Sequence, residues 1–187
     1  MRALAIGTLL AWAGPASAAR TVTISFDADR TQVAVGETVT WTVAVSWVAD
    51  EFPDDAALGG FGGDLIANDP ALGQASSLAS LLPHVGSTPT VSGASVLGVD
   101  VFQSLLLKGV LDASNPIAVY RFDVITSERG VLRYGVLGDV TLPDFDFADP
   151  PGVFDLASVS DRVVIVPAPA VAASVAMGFL LTPRRRR

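Results

Sequence analysis

The strictest constraint on the fold is residues 38–47, TVTWTVAVSW, in which large apolar side chains occupy every second position. Val39, Trp41, Val43, Val45 and Trp47 therefore face one way in an extended chain, while small or hydroxyl-bearing residues face the other way. This period of two is typical of a half-buried antiparallel strand. We interpret both tryptophans as core residues; a ligand platform is the alternative.

Similar patterns predict further strands along the chain. Alternation begins in TVTISFD, and strand-like segments follow at 59–67, 99–107, 115–126, 130–137 and 157–166. Turn-rich stretches separate them. The one helix candidate is NDPALGQASSLASLLP, with Pro70 at its first position. No long amphipathic helices alternate with the strands, which disfavours a parallel α/β sheet. We expect one all-β domain over residues 19–166.

The first 18 residues have the three parts of a secretory signal peptide. Arg2 supplies the positive start, residues 3–13 are a short apolar stretch, and Ala16 and Ala18 are the small residues that signal peptidase requires. The apolar stretch is shorter than the roughly 20 residues of a spanning helix. We expect cleavage between Ala18 and Ala19 and therefore export; a buried N-terminal helix is the alternative.

The C-terminal end combines an uncharged apolar run with a basic tail. Residues 170–181 carry no charge, and Arg184, Arg185, Arg186 and Arg187 end the chain. At about 1.5 Å per residue a helix of this run is shorter than a hydrocarbon core of about 30 Å. An arginine cluster favours the cytoplasmic side of a membrane. The pattern predicts a marginal, transient membrane helix with its basic end held inside.

The order of Pro167-Ala168-Pro169, apolar segment and arginine cluster resembles the PEP-CTERM type of C-terminal sorting signal. In that family a Pro-Glu-Pro motif, an apolar segment and a basic tail are recognised by an exosortase, a membrane protease-transpeptidase. The resemblance implies that residues 167–187 form a sorting and anchor segment. Ala168 stands where the family usually has Glu, which implies a matched enzyme. A plain tail anchor, or a hydrophobic end without a sorting role, is the alternative.

The body of the chain resembles the cohesin-like branch of bacterial carbohydrate-module β-sandwiches. The resemblance rests on residues 36–39 leading into a long strand, on GFGGDL at 60–65, on NDPAL at 68–72, and on a late strand at 116–126. It implies an antiparallel jelly-roll sandwich of about nine strands, with Tyr120, Phe122 and Val124 inward. Relatives of this fold serve as adhesion, scaffold and sugar-binding modules, and the resemblance does not imply dockerin binding.

Composition excludes several chemistries. The absence of cysteine excludes disulfides, zinc-thiolate sites and cysteine nucleophiles. Five of the 12 basic residues are Arg2 and the terminal arginines, which leaves seven basic against 19 acidic residues and a net charge of −12 for the rest. Such a surface repels phosphate backbones, so we expect no nucleic-acid partner.

Catalytic and metal-binding patterns are sparse. The sole histidine, His84, lies in a predicted loop, and no serine has the Gly-x-Ser-x-Gly context of hydrolases. Asp144, Asp146 and Asp149 alternate with phenylalanines, which favours solvated acids on a strand; a calcium site is the alternative. We expect no catalytic residues and no cofactor apart from that calcium.

Together these patterns predict an exported, non-enzymatic protein of the cell surface or extracellular matrix. Its expected partners are signal peptidase, an exosortase-type processing enzyme, and surface polysaccharide or other surface proteins. The alternative is a carbohydrate-binding module with a structural calcium. If both tryptophans point inward, the aromatic residues left for a sugar platform are Phe52, Phe61 and Tyr134.

Overall fold

The computed structural model describes residues 20–48, 57–103, 111–141 and 154–168, which contain thirteen strands and one turn of 3-10 helix, Pro70–Leu72. The all-β prediction is confirmed. More strands are present than the nine expected, because several are short. The strands are β1 Arg20–Ala28, β2 Gln32–Ala34, β3 Thr38–Trp47, β4 Gly60–Ala67, β5 Gly73–Ser80, β6 His84–Val85, β7 Thr90–Ser92, β8 Ser95–Phe102, β9 Ile117–Thr126, β10 Gly130–Leu132, β11 Tyr134–Thr141, β12 Phe154–Ser160 and β13 Val163–Val166.

Two larger sheets and one small sheet organise these strands. Sheet I has the order β12-β1-β3-β9-β5, and sheet II has the order β11-β4-β8-β6 with β7 also paired to β8. A small sheet, β10-β13-β2, forms a third ladder. The antiparallel prediction is wrong for two pairs, since β12 runs parallel to β1 and β13 runs parallel to β2. Parallel pairing requires a long connection, and most of the domain lies between these strands in sequence.

The predicted strand at 157–166 is two strands in different sheets. β12 ends at Ser160 and β13 begins at Val163. Between them Asp161 is held by two hydrogen bonds: its backbone N–H donates to the Phe26 carbonyl at 2.9 Å, and its Oδ2 accepts from the Ala28 N–H at 2.9 Å. These hydrogen bonds fix Asp161 at the point where the chain leaves sheet I and continues beside β2.

The predicted helix at residues 68–83 is wrong, because most of this segment is a strand. Asp69 caps the single turn Pro70–Leu72, because its side chain accepts a hydrogen bond from the Ala71 N–H at 3.0 Å. The chain then continues as β5, which pairs with β9. Pairing with a neighbouring strand satisfies the backbone of this segment and outweighs its modest helical propensity.

The core interpretation of the tryptophans is confirmed. Trp41 is fully buried and Trp47 is 9% exposed, in one cluster with apolar residues from both larger sheets. On β9 the inward prediction for Tyr120, Phe122 and Val124 is also confirmed. Val43 pairs with Tyr120 and Ala44 with Ala118, which leaves Val119 as the extra residue of a bulge. The bulge turns Val119 inward as well, in agreement with its full burial.

An aromatic cluster around Tyr134 joins the two larger sheets. The Tyr134 ring, from sheet II, stacks on Phe26 at a centroid distance of 5.6 Å. It meets Trp41 and Phe122 edge to face, at 4.8 and 5.2 Å. These three partners come from sheet I, so one side chain of sheet II packs against three of its strands.

Candidate interaction surface

The sorting motif begins where the last strand ends. The Val166 carbonyl accepts a hydrogen bond from the Val35 N–H at 2.9 Å, and Pro167 and Ala168 follow as exposed, non-strand residues. The other sorting and cleavage residues lie outside the described residues: Pro169, Arg184, Arg185, Arg186, Arg187, Ala16, Ala18 and Ala19. Within the described ranges, no helix has the length and apolar character that a membrane crossing requires. The sorting interpretation stays a prediction.

The prediction of solvated acids and its calcium alternative are likewise untested, because Asp144, Asp146 and Asp149 lie outside the described residues. In the part of the chain that the structure describes, no three histidine or acidic side chains converge as metal ligands. Asp155 is exposed on β12. His84 is also exposed, but in the short strand β6 rather than in a loop, and its ring stacks on Phe102 at 5.3 Å.

The alternative of a sugar platform is contradicted for two of the three aromatic residues that could have formed it. Phe61 is 1% exposed and Tyr134 is 5% exposed, so neither ring offers a face to solvent. Both stand at inward positions of strands in sheet II, which alternation fixes once the pairing is known. Phe52 lies outside the described residues.

The outward side of sheet II, called the outer face below, carries apolar surface that the sequence analysis missed. Its central strand β4 contributes Gly60, Gly62, Asp64 and Ile66, so half of these positions have no side chain. Leu137 on β11 is 69% exposed and pairs with Asp64. Phe102 and Ile66 are partly exposed, and none of strands β4, β6, β8 and β11 contains Lys or Arg. The outer face therefore combines apolar side chains with the acidic residues Asp100 and Asp139, and the exposed Arg133 borders its apolar hollow.

Glycines keep β4 and β11 in close contact. Gly63 has φ +155, and a Cβ there would lie 2.6 Å from the Leu137 carbonyl oxygen. Its partner Gly138 is equally restricted, because a Cβ there would collide with the Gly62 carbonyl oxygen. The run GGFGG, residues 59–63, therefore lies where backbones approach closely, in a strand that is paired on both sides.

Two shallow hollows lie on or beside the outer face. An acidic hollow of about 280 Å³ has a glycine floor, with Asp139 and Asp100 paired to opposite sides of Gly62. An apolar hollow of about 390 Å³ is lined by Ile66, Leu137 and neighbouring residues. An apolar centre beside polar groups is the usual composition of a protein-docking surface.

The outward side of sheet I is different. Small and hydroxyl-bearing residues alternate along β1 and β3, and Thr40 Oγ1 donates to Asp123 Oδ1 at 2.7 Å. Its exposed large hydrophobics, Ile125 and Val159, stand on β9 and β12, which β1 and β3 separate. Isolated apolar residues of this kind are normal on any surface. The outer face of sheet II is therefore the better interaction candidate.

No protein-family model and no curated protein sequence matches this chain. Several solved structures, however, have a similar fold. A cohesin module of a Clostridium perfringens family 33 glycoside hydrolase superposes with a TM-score of 0.56 at 11% identity, covering 80% of this chain and 98% of that module. The seventh ScaB type I cohesin from Pseudobacteroides cellulosolvens gives 0.55 at 7% identity, covering 80% and 95%. A Clostridium thermocellum OlpA cohesin, solved with a dockerin, gives 0.52 at 12% identity, covering 77% and 99%.

At these identities the likeness shows the fold: the described chain is a cohesin-like β-sandwich. The resemblance seen in the sequence is confirmed at that level. Fold alone does not choose a partner or an activity, because sites are what carry function.

Proposed function

We propose that this protein is an exported, non-catalytic module that docks a protein partner on the outer face of sheet II. The observation that carries the proposal is the outer face itself, where exposed Leu137, partly exposed Ile66 and Phe102, and unpaired acids surround a glycine floor. Desolvation of Leu137 and Ile66 supplies affinity, and Asp100 and Asp139 favour a partner with basic side chains.

The fold likeness supports this proposal by analogy. The Clostridium thermocellum cohesin of the same fold is solved in a complex with a dockerin, which is a protein partner. We carry over only the mode of action, the binding of another protein by a β-sandwich. The identity of the partner does not follow from the fold.

Docking is tested by a charge placed on the outer face. Leu137→Asp should lower the recovery of the cross-linked partner from the native host by about tenfold or more, since a central apolar contact is lost and a charge is buried. Val159→Asp on sheet I is the matched control, because Val159 is 60% exposed and should retain the partner. Equal recovery with both variants would contradict docking on this face.

We further propose that the domain is delivered to the cell surface or matrix by its two ends. The N-terminal segment fits a signal peptide, and residues 167–187 fit a sorting signal processed at Pro167-Ala168-Pro169. The ordered β13 ends at Val166, so processing at the motif leaves the sandwich whole.

Intact mass of the protein from its native host tests delivery. We expect a chain that begins at Ala19 and ends near Pro167–Pro169, or that carries an adduct there. Deletion of residues 167–187 should change its location. A chain that still ends in the four arginines would identify a retained tail anchor instead.

A further inference from the structure

The outer face carries opposite charges at the two ends of β11. Arg133 immediately precedes this strand and borders the apolar hollow, whereas Asp139 lies near its other end and lines the acidic hollow. Both side chains are exposed, and neither forms an ion pair or a side-chain hydrogen bond with another described residue. At about 3.3 Å per residue the two positions are roughly 20 Å apart. A partner that satisfies both charges therefore carries an acidic and a basic group at a similar separation.

Between these charges the strand offers one protruding and one vacant position. Leu137 is 69% exposed. Gly135 lies two residues earlier on the same side of the sheet, and a Cβ there would meet no atom within 4 Å, so the space above it is open. Both residues line the apolar hollow. The surface thus places a protruding apolar side chain beside a recess that can receive one.

The four positions are arranged symmetrically about Val136. Reversal of the strand direction about Val136 exchanges Arg133 with Asp139 and Gly135 with Leu137. The four alternate along the chain, so they share the outward side of the sheet. The two-fold axis of a dimer performs this reversal, because the same patch on both subunits then meets itself. The outer face is therefore complementary to a second copy of itself, in charge and in shape.

The acidic hollow has room for an arginine side chain of that second copy. Its volume is about 280 Å³, and Gly62 forms its floor between Asp100 and Asp139. No described residue donates a hydrogen bond to either carboxylate. A guanidinium in the hollow makes charge-assisted hydrogen bonds to these acids, which are stronger than bonds between neutral groups. The two-fold axis at Val136 brings Arg133 of the second copy to this hollow.

The geometry favours packing of the two faces over pairing of two strand edges. β11 is the edge strand of sheet II, and a free edge is a template for strand addition. However, Ser160 of β12 already accepts the Tyr134 N–H at 2.9 Å, and Ser158 lines the apolar hollow beside β11. β12 therefore covers part of this edge, whereas Leu137 and the space above Gly135 lie on the face. Sheets packed face to face lie about 10 Å apart with interdigitated side chains.

We propose that the occupant of the outer face is a second copy of this chain, in a two-fold dimer. Leu137 of each copy fills the space above Gly135 of the other, and Arg133 of each copy lies in the acidic hollow of the other. The inference rests on the docking proposed above and names the partner. The negative net charge of the chain opposes self-association at long range, so these local contacts supply the affinity.

The test exchanges the charges and measures self-association of the exported protein by sedimentation equilibrium. Arg133→Asp places acids against each other at both ends of the interface, and Asp139→Arg places arginines against each other there. Each variant should weaken the dimer by about tenfold or more. The first substitution makes the net charge more negative and the second makes it less negative. A loss in both variants therefore identifies contacts rather than net charge.

Mixing the two variants gives the sharpest result. An equimolar mixture sets the acids of one variant against the arginines of the other at both ends, so it should regain the affinity of the unchanged protein within about threefold. Arg121→Asp is the matched control, because Arg121 is exposed on the outward side of sheet I and undergoes the same change of charge. This control should retain the dimer within about twofold.

Three results would overturn the proposal: a mixture that associates as weakly as its components, a loss in Arg121→Asp as large as that in Arg133→Asp, or an unchanged protein that is monomeric at about 1 mM. If Leu137→Asp lowers partner recovery from the host while the charge variants associate like the unchanged protein, the outer face docks a different protein and the dimer is wrong. If Leu137→Asp leaves that recovery unchanged, docking on this face fails as well.

Discussion

The two tyrosines of this chain share a depth of burial and differ in what their hydroxyls do. Tyr134 is 5% exposed, and its hydroxyl donates to the Ala94 carbonyl at 2.6 Å. Tyr120 is 3% exposed, and its hydroxyl has no partner among the described residues. Burial raises the pKa of both, most strongly that of Tyr134. One tyrosine completes the core, and the other lines a cleft that opens to solvent.

This difference separates a tyrosine that is packed at every atom from one whose hydroxyl reaches a cleft. The ring of Tyr134 has three aromatic neighbours and its hydroxyl is satisfied, so every part of it contributes to stability. The ring of Tyr120 belongs to the same core cluster, while its hydroxyl lines a cleft and makes no hydrogen bond to another described residue. Among the described residues, the buried side-chain polar atom without a hydrogen-bond partner is Trp41 Nε1, on the ring that meets Tyr134 edge to face.

Truncation to alanine should give the largest contrast. Tyr134→Ala should lower the free energy of unfolding by about 3–5 kcal/mol, because it leaves a closed cavity among aromatic rings. Tyr120→Ala should cost about 2 kcal/mol, because its space opens into the cleft that Leu78 and Val85 also line. Urea unfolding of both variants, with unchanged slopes, measures the difference. Equal costs would mean that Tyr120 is packed as tightly as Tyr134.

Removal of the hydroxyls alone should give a smaller but cleaner contrast. Tyr134→Phe should lower the free energy of unfolding by about 1–2 kcal/mol, since the Ala94 carbonyl loses its partner inside the core. Tyr120→Phe should change it by less than about 0.5 kcal/mol. Thermal or urea unfolding at neutral pH checks both values. A clear loss in Tyr120→Phe would show that its hydroxyl has a partner in solution.

High pH should give the smallest of the three expected differences in the free energy of unfolding. Below about pH 10 both tyrosines are protonated in the folded and unfolded chain, so they add no pH dependence. Above that value the unfolded chain releases the proton of Tyr134 while the folded chain retains it, so the free energy of unfolding falls by about 1 kcal/mol near pH 11. The measurement is tyrosinate absorbance followed together with urea unfolding.

The Tyr134→Phe variant is the control for this decline. It should lose about 1 kcal/mol less than the unchanged chain between neutral pH and about pH 11. Ionisation of Tyr134 should coincide with unfolding, whereas Tyr120 should ionise in the folded protein. Two tyrosines that ionise together before unfolding would contradict the assignment of Tyr134 to a closed core.

Much of the fold could be predicted from residues such as Trp41, Trp47 and Phe122, since a period of two allows only one buried face. The strand boundaries and the pairing of strands within the sheets could not be predicted from the sequence. The parallel pairing of β12 with β1 and the break at Asp161 depend on contacts between segments more than a hundred residues apart. The alternative of a sugar platform at Phe61 and Tyr134 was wrong, because the sequence does not show whether an aromatic side chain faces the core or the solvent.

The sequence by itself determined an all-β domain with a tryptophan-rich core, a negative charge, no cysteine chemistry, and two ends that predict export and sorting. Each of these depends on residue type or on local period. Only the tertiary structure decided that Gly62 separates Asp100 from Asp139, that Leu137 is exposed, and that Tyr120 lines a cleft. These placements depend on strand register and on bulges, where a shift of one residue reverses the side that every later side chain faces.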